Sequence, residues 1–258
     1  EFPLPLRERV RVCGFGKYFQ IKMIKLSNVG KKFGDYWAVK DLNIEVNRGE
    51  IFGFLGPNGA GKSTTIKMMS GLLKPSSGQI LIGGYDIVKE PIKAKSIIGY
   101  VPDKGFVYEK LNGREFLNFI AALYKIDSKQ AERKINELTT MFSIKESLDE
   151  LIENYSAGMR QRLVFTAALL HEPEILLIDE PIIGLDPKGV RMLKGFLGEL
   201  ALKGAAIFMT THSLLLAEEL CTNIGIINKG SMIASGAKEE LLSHARGLED
   251  FFMQITEK

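Results

Sequence analysis

The chain contains the segment Gly56-Pro57-Asn58-Gly59-Ala60-Gly61-Lys62-Ser63, which has the spacing G-x-x-x-x-G-K-[ST] of a phosphate-binding loop. It follows the apolar run at residues 51–55, which predicts a buried strand, and it opens a helical pattern that ends near Gly71. Glycines let backbone N–H groups surround phosphate oxygens, and a helix N-terminus adds partial positive charge. We expect the whole loop and Thr64 to bind nucleotide, with Lys62 offsetting phosphate charge and Ser63 binding Mg²⁺. A flexible glycine-rich turn is the alternative, and the flanking strand and helix argue against it.

An apolar segment far downstream ends in two adjacent carboxylates. Residues 174–181 read EILLIDEP, an apolar strand followed by Asp179 and Glu180. In an open parallel sheet, ligands bind at the carboxyl ends of the strands. We expect Asp179 to hold Mg²⁺ through its water shell and Glu180 to orient or deprotonate an attacking water. Such a pair alone is usually a solvated loop, but beside a phosphate-binding loop it indicates nucleotide hydrolysis.

Strand patterns alternate with helical patterns along most of the chain, which predicts an α/β fold with a mainly parallel sheet. Strands are predicted at residues 43–46, 51–55, 79–82, 96–101, 175–178 and 205–209. An antiparallel β portion is expected near residues 23–55, and a helical subdomain is expected as an insert at about residues 103–160. Its predicted helices lie at residues 112–123, 128–142 and 148–152.

Composition and charge exclude several classes of protein. Hydrophobic residues make up 45% and charged residues 25% of the 258 residues, which is typical of a globular protein. A net charge of +3 is too small for a nucleic-acid-binding surface, so no nucleic acid is expected as a partner. No apolar run approaches the roughly 20 residues of a membrane-spanning helix. Two cysteines, Cys13 and Cys221, favour a reducing cytoplasm over a disulfide-bonded scaffold.

The first residues of the chain carry none of these motifs. Met23 begins a strand pattern and is the expected natural start, which makes residues 1–22 an N-terminal extension that is non-native or upstream. Gly14, Gly16 and Lys17 interrupt the segment, so it lacks the apolar region of a signal peptide. A genuine N-terminal arm is the alternative.

A serine with small neighbours opens a third conspicuous segment, Tyr155-Ser156-Ala157-Gly158-Met159, which precedes an apolar helix pattern. The purely structural interpretation is that Ser156 is the N-cap of a core helix. The segment is similar to the signature motif LSGGQ of ATP-binding cassette (ABC) ATPases: Ser156 and Gly158 match it, whereas Tyr155, Ala157 and Met159 depart from it. The resemblance spans about residues 23–236 and implies one ABC ATP-binding domain over residues 23–258.

The resemblance implies roles for three further residues. Asp186, in Gly184-Leu185-Asp186, matches the D-loop, which communicates across a dimer in the family. His212, just beyond a predicted strand, matches the switch histidine and would contact the γ-phosphate. Phe33 lies where the family places an aromatic ring that stacks on adenine, with Tyr36 and Trp37 as competitors and core packing as the alternative.

The clearest departure from the family pattern is Asp103. The family usually has glutamine at the last position of Tyr100-Val101-Pro102-Asp103, and that glutamine binds Mg²⁺ and senses the γ-phosphate. Asp103 also offers an oxygen ligand, so it is a candidate metal ligand with a shorter reach and a negative charge. Alternatively, Asp103 is a turn residue after proline.

The resemblance implies an ATPase that works in pairs. It would hydrolyse ATP to ADP and phosphate with a second ABC ATPase subunit, in a homodimer or heterodimer. Ser156, Ala157 and Gly158 would then contact the ATP bound by the other subunit. Separately encoded integral membrane subunits would bind near Phe106 and Tyr108, which places the chain in the cytoplasm at the inner face of the cell membrane.

The sequence does not determine the direction of transport, but the resemblance favours export. Asp103 and residues 158–162 look more like bacterial exporter ATPases than importers. The alternative is a soluble ABC ATPase of DNA repair or translation, but such proteins commonly carry paired cassettes or coiled coils. A third alternative is a P-loop kinase, but that function assigns no role to Ser156 or His212.

Overall fold

The chain forms two β-sheets with helices packed against them, in a computed structural model that describes residues 22–180, 187–243 and 247–256. The strands are β1 (Lys22–Phe33), β2 (Tyr36–Asn47), β3 (Ile51–Leu55), β4 (Ser77–Ile82), β5 (Tyr85–Asp86), β6 (Ile98–Val101), β7 (Ile175–Asp179), β8 (Ala206–Thr211), β9 (Asn223–Asn228) and β10 (Ser231–Ala237). The α-helices are α1 (Lys62–Met69), α2 (Pro91–Ser96), α3 (Gly113–Leu123), α4 (Ser128–Met141), α5 (Ala157–Leu169), α6 (Pro187–Leu202), α7 (Leu214–Leu220), α8 (Lys238–Leu241) and α9 (Leu248–Thr256). Cys13 and all of the predicted extension except Lys22 lie outside the described residues.

The larger sheet confirms the predicted parallel core. Its strand order is β10-β9-β3-β8-β7-β6, and all neighbours run parallel except β9 and β10. Leu55 of β3 pairs with Thr211, and Asp179 of β7 pairs with Thr210. The carboxyl ends of three adjacent strands therefore meet at one edge, where open parallel sheets bind their ligands.

The smaller sheet is antiparallel and has the order β2-β1-β4-β5. The prediction of an antiparallel portion near residues 23–55 is therefore right for β1 and β2 and wrong for β3, which lies in the larger sheet. All five residues of β3 are buried, as expected for a central parallel strand covered on both faces, whereas β1 and β2 mix buried and exposed positions. Strands β4 and β5 complete the antiparallel sheet from further along the chain.

Three helices and two short 3₁₀ turns lie between β6 and β7 in sequence. The capping box of α3 is present, because the side chains of Asn112 and Glu115 each accept a hydrogen bond from the backbone N–H of the other. The predicted helix at residues 148–152 is wrong: 3₁₀ turns occupy Lys145–Ser147 and Ile152–Asn154 instead. Leu148 and Ile152 are buried, so their apolar pattern reflects packing rather than a helix.

The strand predicted at residues 96–101 begins two residues later. Pro91 starts helix α2, which continues through Ser96, and β6 begins at Ile98. Proline suits the first turn of a helix, because its fixed φ is helical and its missing N–H needs no partner there. In α2 apolar residues alternate with lysines, and this alternation is typical of a strand, so the sequence pattern does not reveal the short helix.

Helices cover both faces of the larger sheet. One face packs against α1 through Ile66, Met68 and Phe208, and the opposite face packs against α5, α6 and α7. Among the described residues, no helix is both long enough and apolar enough to cross a membrane.

Candidate functional site

The glycine-rich loop joins the carboxyl end of β3 to the first residue of α1. Gly61 has φ +112°, and a Cβ there would lie 2.6 Å from the carbonyl oxygen of Ala38. A side chain would therefore strain the backbone and collide with β2. Pro57, Asn58 and Gly59 are exposed, so their backbone groups are accessible to a ligand.

Lys62 is buried at the start of α1 and reaches back across the loop. Its ammonium group donates hydrogen bonds to the carbonyl oxygens of Gly56, at 2.7 Å, and Pro57, at 3.2 Å. Burial lowers the pKa of Lys62, and the negative charges of Glu180 and Asp179 oppose that shift. A cation held at this position is able to form charge-assisted hydrogen bonds with phosphate oxygens.

Asp179 ends strand β7 and is only 3% exposed. Its Oδ1 accepts hydrogen bonds from the hydroxyl of Ser63, at 3.4 Å, and from the hydroxyl of Thr210. Thr210 is not among the predicted site residues. Its position near the carboxyl end of the apolar strand β8 could have identified it, because ligands bind at that end of parallel strands. Residues from α1, β7 and β8 therefore meet around one carboxylate.

This set of oxygen donors fits Mg²⁺. Mg²⁺ prefers oxygen ligands and usually combines one or two protein groups with waters and substrate phosphates. Ser63 and Asp179 provide a hydroxyl and a carboxylate in hydrogen-bonding distance of each other. The part of the chain that the structure describes contains no group of three or more His, Cys, Asp or Glu side chains suited to a metal. Ser63 and Asp179 would hold a magnesium ion, and its further ligands would come from nucleotide, water and the predicted ligand Asp103.

Glu180 and His212 form the second pair at this edge. Oε2 of Glu180 lies 2.8 Å from Nδ1 of His212, and the same oxygen lies 3.4 Å from the backbone nitrogen of His212. Glu180 has φ +56°, a conformation that few non-glycine residues adopt. Such backbone conformations are concentrated at functional sites. Here the turn directs the Glu180 side chain toward the residue that follows β8.

Asp103 lies two residues after β6, the edge strand that pairs with β7. Tyr100 pairs with Leu177, so its side chain shares a face of the sheet with Leu177 and Asp179. Burial and the charges of Asp179 and Asp103 raise the pKa of Tyr100 to about 12. Tyr100 is not among the predicted site residues, and no hydrogen bond or ion pair joins Asp103 to residues 56–63 within the described chain. The metal-binding role of Asp103 stays a prediction.

Ser156 is the N-cap of α5, because its hydroxyl accepts a hydrogen bond from the backbone N–H of Met159 at 3.2 Å. Arg160 fixes this helix start through an ion pair with Glu109 at 2.6 Å. Ser156 and Ala157 are exposed. The capping interpretation is thus correct, and it leaves an exposed helix N-terminus that is able to accept an anion.

Phe33 lies at the connection between β1 and β2, and its side chain is about half exposed. The ammonium group of Lys31 lies 5.2 Å from the centroid of its ring. Core packing is therefore excluded for Phe33, and part of its ring is available for stacking. Tyr36, the competing residue, is more exposed still.

The structure brings together five predicted residues at the carboxyl edge of the larger sheet. They are Lys62, Ser63, Asp179, Glu180 and His212. Three other predicted residues have no hydrogen bond or ion pair with this group among the described residues: Phe33, Asp103 and Ser156. The predicted contact residue Asp186 lies outside the described residues.

A groove of about 550 Å³ lies between the larger sheet with α1 and the helices α3 and α5. We call it the insert groove; its lining includes Lys67, Lys95, Tyr100, Lys104, Phe106 and Val164. Tyr100 belongs both to this lining and to the sheet face that carries Asp179. The insert groove therefore adjoins the candidate site through one side chain.

The chain is similar to known ATP-binding proteins in sequence and in fold. A family model described as ABC transporter matches residues 39–183. The chain is similar to the linearmycin resistance ATP-binding protein LnrL of Bacillus subtilis, with 40% identity over 234 residues that cover 91% of this chain and 75% of LnrL. It is also similar to the probable multidrug ABC transporter ATP-binding protein YbhF of Escherichia coli, with 39% identity over 90% of this chain but only 41% of YbhF. A solved dimer of the ATP-binding cassette MJ0796 in a post-hydrolysis state, bound to ADP and Pi, matches with a TM-score of 0.75 and 25% identity, over 83% of this chain and 98% of that chain. The structural match confirms the predicted α/β P-loop fold.

Proposed function

The chain belongs to the ABC transporter family of ATP-binding proteins and is an ATPase of that family, and we propose that it powers export through separately encoded membrane subunits. The observation that carries the ATPase assignment is the contact between Glu180 and His212 beside the buried Asp179. The resistance and transporter names of LnrL and YbhF support export over a role in DNA repair or translation.

We propose that residues at the sheet edge divide the work of hydrolysis. Lys62 and the loop residues 56–61, with Thr64, bind the phosphates of ATP, and Ser63 and Asp179 hold Mg²⁺. An ion held there would supply positive charge that offsets the charge of the phosphates. Glu180 orients the attacking water and accepts its proton at the carboxylate. His212 fixes the position of that carboxylate through Nδ1.

The remaining predicted residues are assigned to ATP contacts outside this group. Phe33 stacks on adenine, and Asp103 contacts the metal from the end of β6. Ser156, Ala157 and Gly158 contact the ATP of a second ABC ATPase subunit, and Asp186 communicates across that dimer. The exposure of Ser156 and Ala157 supports this arrangement, because an intermolecular contact requires an accessible surface.

We further propose that the membrane subunits bind at the insert groove, near Phe106 and Tyr108. The ATPase then lies in the cytoplasm at the inner face of the cell membrane. Phe106 is 84% exposed, and large exposed apolar side chains commonly mark protein interaction sites.

The test is reconstitution. The full chain, with and without Glu180→Gln, is expressed with the membrane proteins that co-purify with it and inserted into lipid vesicles. We expect ATP-dependent movement of a fluorescent drug across the vesicle membrane with the wild-type chain and none with Glu180→Gln. An active ATPase that co-purifies with ribosomes or DNA and with no integral membrane protein would contradict the proposal.

A further inference from the structure

Thr210 contacts both of the acidic residues at the end of strand β7. Its side-chain hydroxyl donates a hydrogen bond to Oδ1 of Asp179, and its backbone carbonyl oxygen accepts one from the N–H of Glu180 at 3.1 Å. Thr210 pairs with Asp179 in the register of β7 and β8, and both residues are buried. One residue of β8 therefore holds the end of β7 through its side chain and through its backbone.

The hydroxyl of Thr210 binds only one of the two carboxylate oxygens of Asp179. An ionised carboxylate only accepts hydrogen bonds, so the threonine is the donor. Ser63 donates to the same oxygen at 3.4 Å, and within the described part of the chain no residue donates to Oδ2. The two hydroxyls therefore hold Asp179 by one oxygen and leave the other oxygen for a metal ion or its waters.

Thr210 and Ser63 differ in what else their hydroxyls are able to bind. Ser63 is itself a predicted ligand of Mg²⁺, so its oxygen takes a second partner when the ion binds. The side chain of Thr210 has no accessible surface, so water does not compete for its hydroxyl. Its β-branched shape also restricts rotation about χ1, which keeps the hydroxyl directed at Asp179. The alternative is that Thr210 is simply a buried strand residue, because threonine is common in strands.

We propose that Thr210 is a positioning residue for the metal site: its hydroxyl fixes the rotation of the Asp179 carboxylate and so keeps the second oxygen available to Mg²⁺. This inference rests on the proposed function, in which Ser63 and Asp179 hold the ion, and adds the residue that orients the carboxylate. Hydrogen-bond partners of metal-binding side chains typically contribute about 10- to 100-fold to metal affinity. Without the hydroxyl of Thr210, the carboxylate keeps only the long hydrogen bond from Ser63 and is free to turn.

The first experiment measures metal affinity without turnover. An ATP analogue with an imido group between the β- and γ-phosphorus is fully bound by an excess of the full chain, Mn²⁺ is titrated in, and free Mn²⁺ is followed by electron paramagnetic resonance. Mn²⁺ prefers the same oxygen ligands as Mg²⁺. Thr210→Val keeps the branched shape and lacks the hydroxyl, and we expect it to bind Mn²⁺ about 10- to 100-fold more weakly than the wild type.

Two further variants separate the hydroxyl from packing. Thr210→Ser keeps the hydroxyl and loses the methyl group, so it should bind Mn²⁺ far more tightly than Thr210→Val does. Thr139→Val is the matched control, because Thr139 is a buried threonine of α4 whose hydroxyl donates to the backbone oxygen of Ile135 at 2.6 Å. It should bind Mn²⁺ as the wild type does. Thr210→Ala replaces Thr210→Val if the valine variant does not fold.

The ATPase reaction provides a second readout. The Mg²⁺ concentration for half-maximal activity should rise about 10- to 100-fold in Thr210→Val. We expect kcat at saturating Mg²⁺ to stay near the wild-type value, because the backbone hydrogen bond between Thr210 and Glu180 does not depend on the side chain. A lower kcat with an unchanged Mg²⁺ requirement would overturn the inference, because Thr210 would then act on the turn that carries Glu180.

The Mn²⁺ titration distinguishes this inference from the proposed function. Equal Mn²⁺ affinities of Thr210→Val and Thr139→Val overturn the inference, and so does a Thr210→Ser variant that binds as weakly as Thr210→Val. Asp179→Asn tests the metal site itself and should bind Mn²⁺ more weakly than the wild type. If Asp179→Asn binds Mn²⁺ normally, the proposed metal site is wrong. If Asp179→Asn is weakened and Thr210→Val is not, the metal site stands and Thr210 has no part in it.

Discussion

Nδ1 of His212 lies 2.8 Å from Oε2 of Glu180, across the gap between the ends of two adjacent strands. Glu180 follows β7 and His212 follows β8, so the pairing of these strands sets the distance between the two side chains. Glu180 is the less exposed partner, at 12% of its side chain against 63% for His212. The carboxylate is therefore the more enclosed member of the pair, and His212 contacts it while most of the imidazole surface stays accessible to a ligand.

Replacement of Glu180 by glutamine tests its role as general base. Glutamine keeps the shape of the side chain but does not accept a proton, so we expect ATP binding to be retained and turnover to fall about 10²- to 10⁴-fold. Phosphate release and ATP affinity are measured on the same preparation. Glu199→Gln, an exposed change on α6, is the matched control and should hydrolyse ATP at the wild-type rate. Near-normal hydrolysis by Glu180→Gln would remove Glu180 from the catalytic role.

Lys62→Ala is expected to act on binding instead. A hydrogen bond to a charged group contributes about 1.5–3 kcal/mol, and 1.4 kcal/mol corresponds to a factor of ten in affinity. We therefore expect the affinity for ATP to fall about 10- to 100-fold in a nucleotide titration. Adenosine, which lacks phosphates, serves as the control ligand and should bind both proteins equally. Equal ATP affinity of the two proteins would contradict the assignment.

Local motifs allowed much of the site to be predicted from the sequence. The loop at residues 56–63, the carboxylates after the strand that ends at Asp179 and the histidine after β8 each depend on neighbours within a few residues. Their meeting at one edge follows from the general rule for parallel sheets. The bounds of β3 and the capping box of α3 were predictable for the same local reason.

Other features depend on contacts between distant segments. The sequence near β3 does not reveal that β4 and β5, rather than β3, complete the antiparallel sheet. β3 lies in the larger sheet because both of its faces are covered, and that coverage comes from distant segments of the chain. Thr210 becomes a site residue only through its register with Asp179 in the neighbouring strand. Tyr100 likewise reaches the face of Asp179 through the pairing of β6 with β7. Threonine and tyrosine in strands are otherwise unremarkable.

Asp103 is testable through the metal dependence of activity. If its carboxylate helps to hold Mg²⁺, Asp103→Ala should raise the Mg²⁺ concentration for half-maximal ATPase activity several-fold, because Mg²⁺ loses an oxygen ligand. Asp103→Asn keeps an oxygen and should lie between the wild type and the alanine variant. A metal titration that is the same for all three proteins would favour the alternative that Asp103 is a turn residue.

The pH dependence of stability reports on His171, which lies outside the candidate site. Burial, opposed by a hydrogen bond to the carbonyl oxygen of Ile98 at 2.9 Å, lowers the pKa of His171 from 6.5 to about 4, and the nearby positive charge of Lys134 contributes. Its ring also stacks on Tyr124 with centroids 3.8 Å apart. Between pH 6.5 and about 4 the unfolded chain binds a proton at His171 that the folded chain does not, so the native state loses stability as the pH falls through this window.

The pKa shift of His171 determines how much stability is lost as the pH falls. One pKa unit corresponds to 1.36 kcal/mol, so the shift of His171 amounts to roughly 3 kcal/mol when the pH falls below both values. His171→Phe keeps a ring that is able to stack on Tyr124 and has no ionisable group. Urea unfolding of both proteins from pH 7 to pH 4 should show a stability difference that shifts in favour of the phenylalanine variant as the pH falls. A pH-independent difference would show that His171 titrates normally.

We expect ATP to drive dimerisation of the chain. In the proposed function the sheet edge supplies Lys62, Asp179 and His212 to one side of the nucleotide, whereas no hydrogen bond or ion pair joins Ser156 to residues 56–63 in the described part of the same chain. A second chain placed head to tail would bring the exposed N-terminus of its α5, with partial positive charge, against the phosphates. ATP would then join the two chains, and loss of the γ-phosphate would release them. We expect Glu180→Gln to double its mass in light scattering with ATP and to remain monomeric with ADP.

Two further variants make this test specific for α5. Ser156→Arg, added to Glu180→Gln, places a bulky cation at the exposed helix start and should prevent the ATP-dependent dimer. Ser128→Arg is the matched control, because Ser128 is an exposed first residue of α4 and has no predicted contact with ATP. If Glu180→Gln remains monomeric at saturating ATP, pairing with itself is wrong and a different ABC ATPase subunit is the partner. If Ser156→Arg dimerises as well as Ser128→Arg, the contact between Ser156 and the partner's ATP is wrong, because an arginine cannot fit where a phosphate packs against the helix backbone.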